Sequence, residues 1–160
     1  MIRPIISFSG ENAFLSNFAS SPLVVNGFTW PTVEHIYQAF KASEIAEREL
    51  IRLAPSAGQA KKLGQTLTLP ANWETQKVVI MARMIQAKFA SGTRFADQLL
   101  ATGHDVHLIE GNTWHDNFWG DCICYKCSKT IGENMLGEIL MIHREELMKS
   151  FEVNDKHLVS

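Results

Sequence analysis

Cysteine is scarce in this chain. Its three thiols all fall within Cys122-Ile123-Cys124-Tyr125-Lys126-Cys127. An odd, clustered set is not the framework of a disulfide-stapled secreted domain. Long hydrophobic runs are missing as well, and none approaches the ~20 residues that a membrane-spanning helix needs. An excess of one charge is missing too. Lys and Arg number 15 against 17 Asp and Glu, a net charge of -2. That balance excludes broad nonspecific nucleic-acid binding and leaves room only for a local basic patch. Met1-Ile2-Arg3-Pro4 does not open a secretory leader, so a cytoplasmic location is expected. Internal repeats, linkers and low-complexity tracts are absent. What remains is an ordinary globular composition, 46% hydrophobic and 20% charged. The 160 residues suit one domain with its own core, expected over 1–150, with 151–160 as a tail.

The stretch from Ser16 to Lys41 carries the strongest local signals. Asn26-Gly27 between the apolar runs Pro22–Val25 and Phe28–Trp30 predicts a tight hairpin, because a primed turn needs positive φ at both central residues. Pro31 suits the first turn of a helix, expected from Pro31 to about Ser43. Val33, Ile36, Tyr37 and Phe40 share one apolar face, while Glu34, Gln38 and Lys41 fall on a polar one. Glu34 would then sit in a first helical turn. The bland account of an acid there is its favourable interaction with the helix dipole, with Gln38 a solvated neighbour. The chemical account is a carboxylate that activates water or stabilises a developing cation.

Further helices are expected at 44–53, 57–63 closed by Gly64, 73–89 capped by Asn72, 94–102 capped by Thr93, and 132–149. The helix from Trp73, apolar on most sides, is expected to be central. Brief strands are expected at Ile5–Phe8 and Val106–Ile109. The fold class is mainly α (α+β), a single compact helical domain with a short N-terminal β-hairpin. His143 on an apolar helix face reads as a hydrogen-bonded core histidine. Lys61 and Lys62 read as a solvated pair, because Gly58 and Gly64 lack phosphate-loop spacing.

From Glu110 to Asp121 the chain is too polar for a strand and too aromatic for a linker. Trp114, Phe118 and Trp119 alternate with His115, Asp116, Asn117 and Asp121. Such a loop can line a site for a flat polar ligand, or simply pack over the core. The three thiols with His115 could ligate zinc. Cys122 and Cys124 are separated by one residue and no second paired motif exists, so no metal is expected and unligated, mostly buried thiols are the default.

Taken together, Phe14-Leu15-Ser16-Asn17-Phe18, Trp30-Pro31-Thr32-Val33-Glu34-His35, Gln38-Ala39-Phe40-Lys41, Ala60-Lys61-Lys62-Leu63-Gly64, Ala87-Lys88-Phe89, Leu99-Leu100-Ala101-Thr102-Gly103, Asn117-Phe118-Trp119-Gly120-Asp121 and the run Gly132 to Met141 form an ordered set. This set resembles the NADAR family, the YbiA-like N-glycosidases, and spans nearly the whole chain. The pattern departs at Gln65, where an arginine is expected. The resemblance implies hydrolysis of an N-glycosidic bond in a small nucleotide-like substrate. The implied substrates are phosphoribosylamino-pyrimidine intermediates of riboflavin synthesis or, in other members, ADP-ribosylated guanine, including in nucleic acid. It maps the family's glutamate onto Glu34 and its tryptophan-glycine element onto Trp119 and Gly120.

Breaking a C1′–N bond builds oxocarbenium character on the ribose and negative charge on the departing base. On that chemistry Glu34 would orient water and stabilise the cation, and Asp121 would be the second carboxylate. Trp119, with Trp73 or Phe18, would stack on the base, and Asn17 would read a base or sugar edge. Lys41, Lys62 and Lys88 are candidates for a 5′-phosphate. No cofactor, metal or membrane is required, and the oligomeric state is not encoded legibly. The competing classes are a non-catalytic ADP-ribose or nucleotide-binding module and a zinc-stabilised interaction protein.

Overall fold

Asn26 and Gly27 adopt φ of 51° and 79°, the left-handed pair that a tight hairpin turn demands. They join β1 (Leu23–Val25) to β2 (Phe28–Trp30) in antiparallel register, Leu23 opposite Trp30 and Val25 opposite Phe28. The computed structural model describes residues 3–127 and 129–158, with side chains described as far as residue 150. The fold is α+β and mostly helical, in two compact units. One is Asn17–Lys88, and the other combines the residues before and after it.

The first unit is built on α1 (Val33–Ala39). Thr32 caps it, its hydroxyl accepting from the His35 amide, so Pro31 is not in the first turn where it was expected. Pro31 lies just outside. Every residue of α1 is buried, because α2 (Ile45–Arg52), α3 (Ala57–Gln65) and α4 (Trp73–Lys88) all pack on it. The expected centrality of α4 is therefore corrected. It buries Trp73, Met81, Met84, Ile85 and Lys88, yet Val79 is exposed, and α1 is the wholly covered helix. α3 presents Ala57, Ala60 and Gly64 inward, small residues that permit close approach. Gly64 does not end α3. It lies inside the helix, and Thr66 follows as the cap.

His35 is a structural residue. Its Nε2–H donates to the Ala54 carbonyl (3.0 Å), and its Nδ1 accepts from the Thr32 hydroxyl (2.8 Å). That exchange ties the start of α1 to the end of α2.

In the second unit, a 3-10 turn (Gly10–Leu15) and α5 (Arg94–Ala101) pack together, and α5 packs on α6 (Met135–Leu158). Leu15, Phe89, Leu99, Leu108, Leu136 and Leu140 form its core. The two expected strands reduce to one parallel bridge, Ile5 with Leu108. A parallel pair unforeseen from the sequence, β3 (Gly111–Asn112) with β4 (Asp121–Cys122), brackets the aromatic loop. α6 begins later than expected and continues through residues 151–158 of the expected tail. His143 Nε2 bonds the Phe89 carbonyl at 3.0 Å, in keeping with a core role. Arg144 is 2% exposed and anchors the same unit, donating to the Thr102 hydroxyl and to the His104 and Val106 carbonyls. No helix among the described residues is long and apolar enough to cross a membrane.

Candidate active site around Glu34

Glu34 is in the first turn of α1, where the helix dipole favours an acid. Its amide donates to the Asn17 carbonyl at 3.1 Å, which ties the Asn17 loop to the start of α1. The side chain is nearly inaccessible, with Glu34 at 6% exposure. One carboxylate oxygen accepts from Gln38 Nε2 at 2.7 Å. A Glu buried to this degree is costly unless its oxygens are hydrogen-bonded.

Gln38 is itself 3% exposed. The expectation of a solvated neighbour is corrected: on a helix covered on all sides, no face meets solvent. Its side chain is held by Gly64 of α3. A Cβ at Gly64 would stand 2.9 Å from Gln38 Cβ and would overlap the carboxamide oxygen. The glycine in α3 therefore makes the room in which Gln38 reaches Glu34. Gln38 Oε1 and Asn17 Oδ1 are both buried without a hydrogen-bond partner. Each is a buried acceptor of the kind that a ligand donor or ordered water satisfies.

Lys41, one turn beyond Gln38, lies over the rings of Tyr37 and Trp73, 5.4 Å from each centroid. Those rings are 5.2 Å apart and tilted by 55°. Burial lowers the Lys41 pKa, attraction to Glu34 opposes that shift, and Lys61 adds to it. The pair Glu34 and Lys41 thus sits in one electrostatic field, a carboxylate with a cation held on an aromatic platform. Trp73 is 5% exposed and supports that platform. Phe18 is 44% exposed with Lys61 over its ring, so of these two rings it is the more open to a ligand. Asn17 donates through Nδ2 to the Met81 sulfur at 3.3 Å.

The lysines separate clearly. Lys62 is exposed on α3. Lys88 is 1% exposed, and burial pushes its ammonium down to about 7. A phosphate ligand of constant charge is thus a poor description of Lys88. Near neutral pH its amine is neutral in an appreciable fraction of molecules.

The residues expected from the aromatic loop lie in the other unit. Phe118 and Trp119 meet edge to face at 4.9 Å. The carbonyls of Asn117, Phe118, Trp119 and Gly120 accept from the amides of Glu133, Met135, Leu136 and Asn134. The loop thereby caps the N-terminus of α6, whose first amides lack intrahelical partners. Gly120 is required there, since a Cβ would press on the Glu110 carbonyl and stand 2.9 Å from Asn112 Nδ2. Asp121 Oδ1 accepts from the Gly132 amide at 2.9 Å, so Asp121 has a loop-fixing task.

Two organisers escaped the sequence reading. The Asn112 side chain bonds Trp114, Asp116 N–H and Asp116 C=O, and the Asn134 side chain bonds Glu110 and Leu108. Asparagine in a polar loop is a faint signal for such closure.

The chain as a whole is similar to proteins of one family. The NADAR domain family model matches residues 7–148. The N-glycosidase YbiA of Escherichia coli K12 is 38% identical over 143 residues, which cover 88% of this chain and 85% of that one. An N-glycosidase of Nostoc punctiforme is 36% identical over 137 residues, 82% of this chain and 83% of that one. A riboflavin biosynthesis protein of Vibrio vulnificus is 35% identical over 158 residues, 96% of this chain but 41% of that longer protein. The NMR structure of Escherichia coli YbiA superposes with a TM-score of 0.77 at 35% identity, covering 94% of this chain and 88% of that one.

Proposed function

Because this chain belongs to the NADAR domain family, we propose that it hydrolyses the N-glycosidic bond of a ribosylated, phosphorylated base, with Glu34 as the carboxylate at C1′. N-glycosyl hydrolysis is the reaction class: relatives of matching length are named N-glycosidases. The observation that carries the role of Glu34 is its burial in a first helical turn with Gln38 fixing one oxygen. A carboxylate held in that way needs little reorganisation when positive charge develops beside it. A carboxylate can also take a proton from water as the base departs.

Atoms balance simply. Water adds its oxygen to C1′, the C1′–N bond breaks, and the leaving nitrogen gains a proton. Lys41 on its aromatic platform is the proposed partner for substrate phosphate, with Lys62 more peripheral. The orphan acceptors of Asn17 and Gln38 are proposed to meet donors of the sugar or of ordered water. Trp119, Gly120 and Asp121 remain proposed substrate-side residues, with Asp121 as the second carboxylate. A phosphoribosylamino-pyrimidine is the proposed substrate, favoured by relatives named for riboflavin biosynthesis. A cytoplasmic location is proposed with it.

The test is release of free base and free sugar phosphate from a phosphoribosylamino-pyrimidine, with an ADP-ribosylated guanine nucleotide run in parallel. Release from the pyrimidine substrate supports the assignment. Release from the guanine substrate alone retains the reaction class and overturns the substrate. Binding of either without release would make the chain a nucleotide-binding module.

A further inference from the structure

The loop that carries Trp119 and Asp121 also gathers every thiol of the chain. His115, Cys122, Cys124 and Cys127 place one ligand atom each within 4.8 Å of one another. His115 Nδ1 is 3.3 Å from Cys124 Sγ and 3.4 Å from Cys127 Sγ. We infer that these four residues bind one zinc ion as a closed Cys3His site.

The distances suit that ion. With Zn–S of ~2.3 Å and Zn–N of ~2.0–2.1 Å, tetrahedral geometry separates two thiolates by about 3.8 Å and nitrogen from sulfur by about 3.5 Å. The observed nitrogen–sulfur separations are within a few tenths of an ångström of that value. The residue types are those of a structural zinc centre. A soft set of three thiols and one imidazole, without a carboxylate, selects zinc over magnesium or calcium.

The gathering is imposed by main-chain geometry that does not involve the thiol groups. Cys122 is fixed by β4 pairing and by its amide donating to Asn117 Oδ1 at 2.9 Å. Cys124 and Cys127 are joined by a turn in which Cys127 N–H donates to the Cys124 carbonyl at 3.0 Å. His115 holds a φ of 68° inside the turn that Asn112 closes. Positive φ is uncommon outside glycine, though histidine is among the residues enriched there. All three cysteines are free of disulfide bonds. Cys124-Tyr125-Lys126-Cys127 has the two-residue spacing of zinc knuckles, a pairing that attention to Cys122 and Cys124 obscures.

Because the protein supplies all four ligands, the site leaves no open position for a substrate or water, and its role is structural. It staples residues 115–127 across the aromatic loop. Binding displaces thiol protons to solvent as thiolates form around the ion. The zinc assignment does not rest on the Glu34 reading, so failure of either leaves the other standing.

The experiment uses the full chain, reduced, stripped with chelator and titrated with Zn2+, then with Co2+ as a spectroscopic probe. The expected result is one bound zinc per chain and, with cobalt, thiolate-to-metal charge-transfer bands alongside the strong visible bands of a tetrahedral ion. Removing zinc from the wild type should lower its melting temperature. Cys124→Ser with Cys127→Ser should lose the bound equivalent, and chelator should leave the melting temperature of that variant unchanged. Substoichiometric zinc, or cobalt spectra without thiolate bands, overturns the inference even if the variant fails to fold. So does a Cys–Cys disulfide in the freshly isolated protein, or equal zinc binding by the folded variant.

Discussion

Lys88 stands far from the ordinary state of a lysine. In the unfolded chain it titrates near 10.5, and burial brings it to about 7 in the fold. Between those values the unfolded chain holds a proton that the folded chain lacks. Stability should therefore rise with pH from about 7 to about 10.5, while below 7 the full cost of burying the charge is present. The slope attributable to this group is at most ~1.4 kcal/mol per pH unit. Denaturant unfolding at pH 7 and pH 9 should show wild type gaining about 2 kcal/mol relative to Lys88→Met. Parallel behaviour of the two proteins would mean that the lysine stays charged in the fold. Asp121 gives a second test at this scale. Asp121→Asn keeps an acceptor for the Gly132 amide, so the fold should hold while turnover falls at least about tenfold. Unchanged turnover would leave Asp121 with its loop-fixing task alone. The place of Glu34 in a first helical turn was legible from helical spacing, whereas burial of Lys88 was not. Nothing in Ala87-Lys88-Phe89 reveals that both the lysine and the phenylalanine are covered.

At the scale of elements, the pairing of α1 with α3 decides how Glu34 is held. Gly64→Ala should push Gln38 from Glu34, costing about 1–3 kcal/mol and lowering turnover. Gly58→Ala is the internal control. A Cβ there meets nothing nearer than Ser56 Oγ at 3.9 Å, so activity should hold and stability stay or rise by ~0.5–1 kcal/mol. Equal behaviour of the two variants in activity and melting would remove Gly64 from the account. Helix existence was readable from spacing and caps: Thr93 caps where expected, and the hairpin register follows from Asn26-Gly27. The covering of α1 was not readable. A stretch with Glu, His and Gln among its apolar residues looks amphipathic until three helices are packed around it. The β3–β4 pair and the Ile5–Leu108 bridge were missed for a related reason. They are two-residue and one-residue pairings made by distant segments, with no alternation long enough to detect. The continuation of α6 past Ser150 had no apolar periodicity to announce it.

At the scale of the whole molecule, composition set the limits and the order of short motifs supplied the family. No single motif was specific. Eight pieces in one order were, and the family match over residues 7–148 and the YbiA fold agree with them. Substrate identity stayed out of reach because donors, acceptors and cations of this kind suit many ribosylated bases. The thiol cluster was readable as a candidate, but its convergence needed the fold, since sequence spacing does not say which way a turn points its side chains. The most direct test of the central claim is turnover by Glu34→Gln on the substrate that wild type cleaves, with melting recorded on the same preparation. The account predicts base release lowered by about 10²–10⁴-fold with cooperative melting preserved. Wild-type release from a folded Glu34→Gln protein would contradict it.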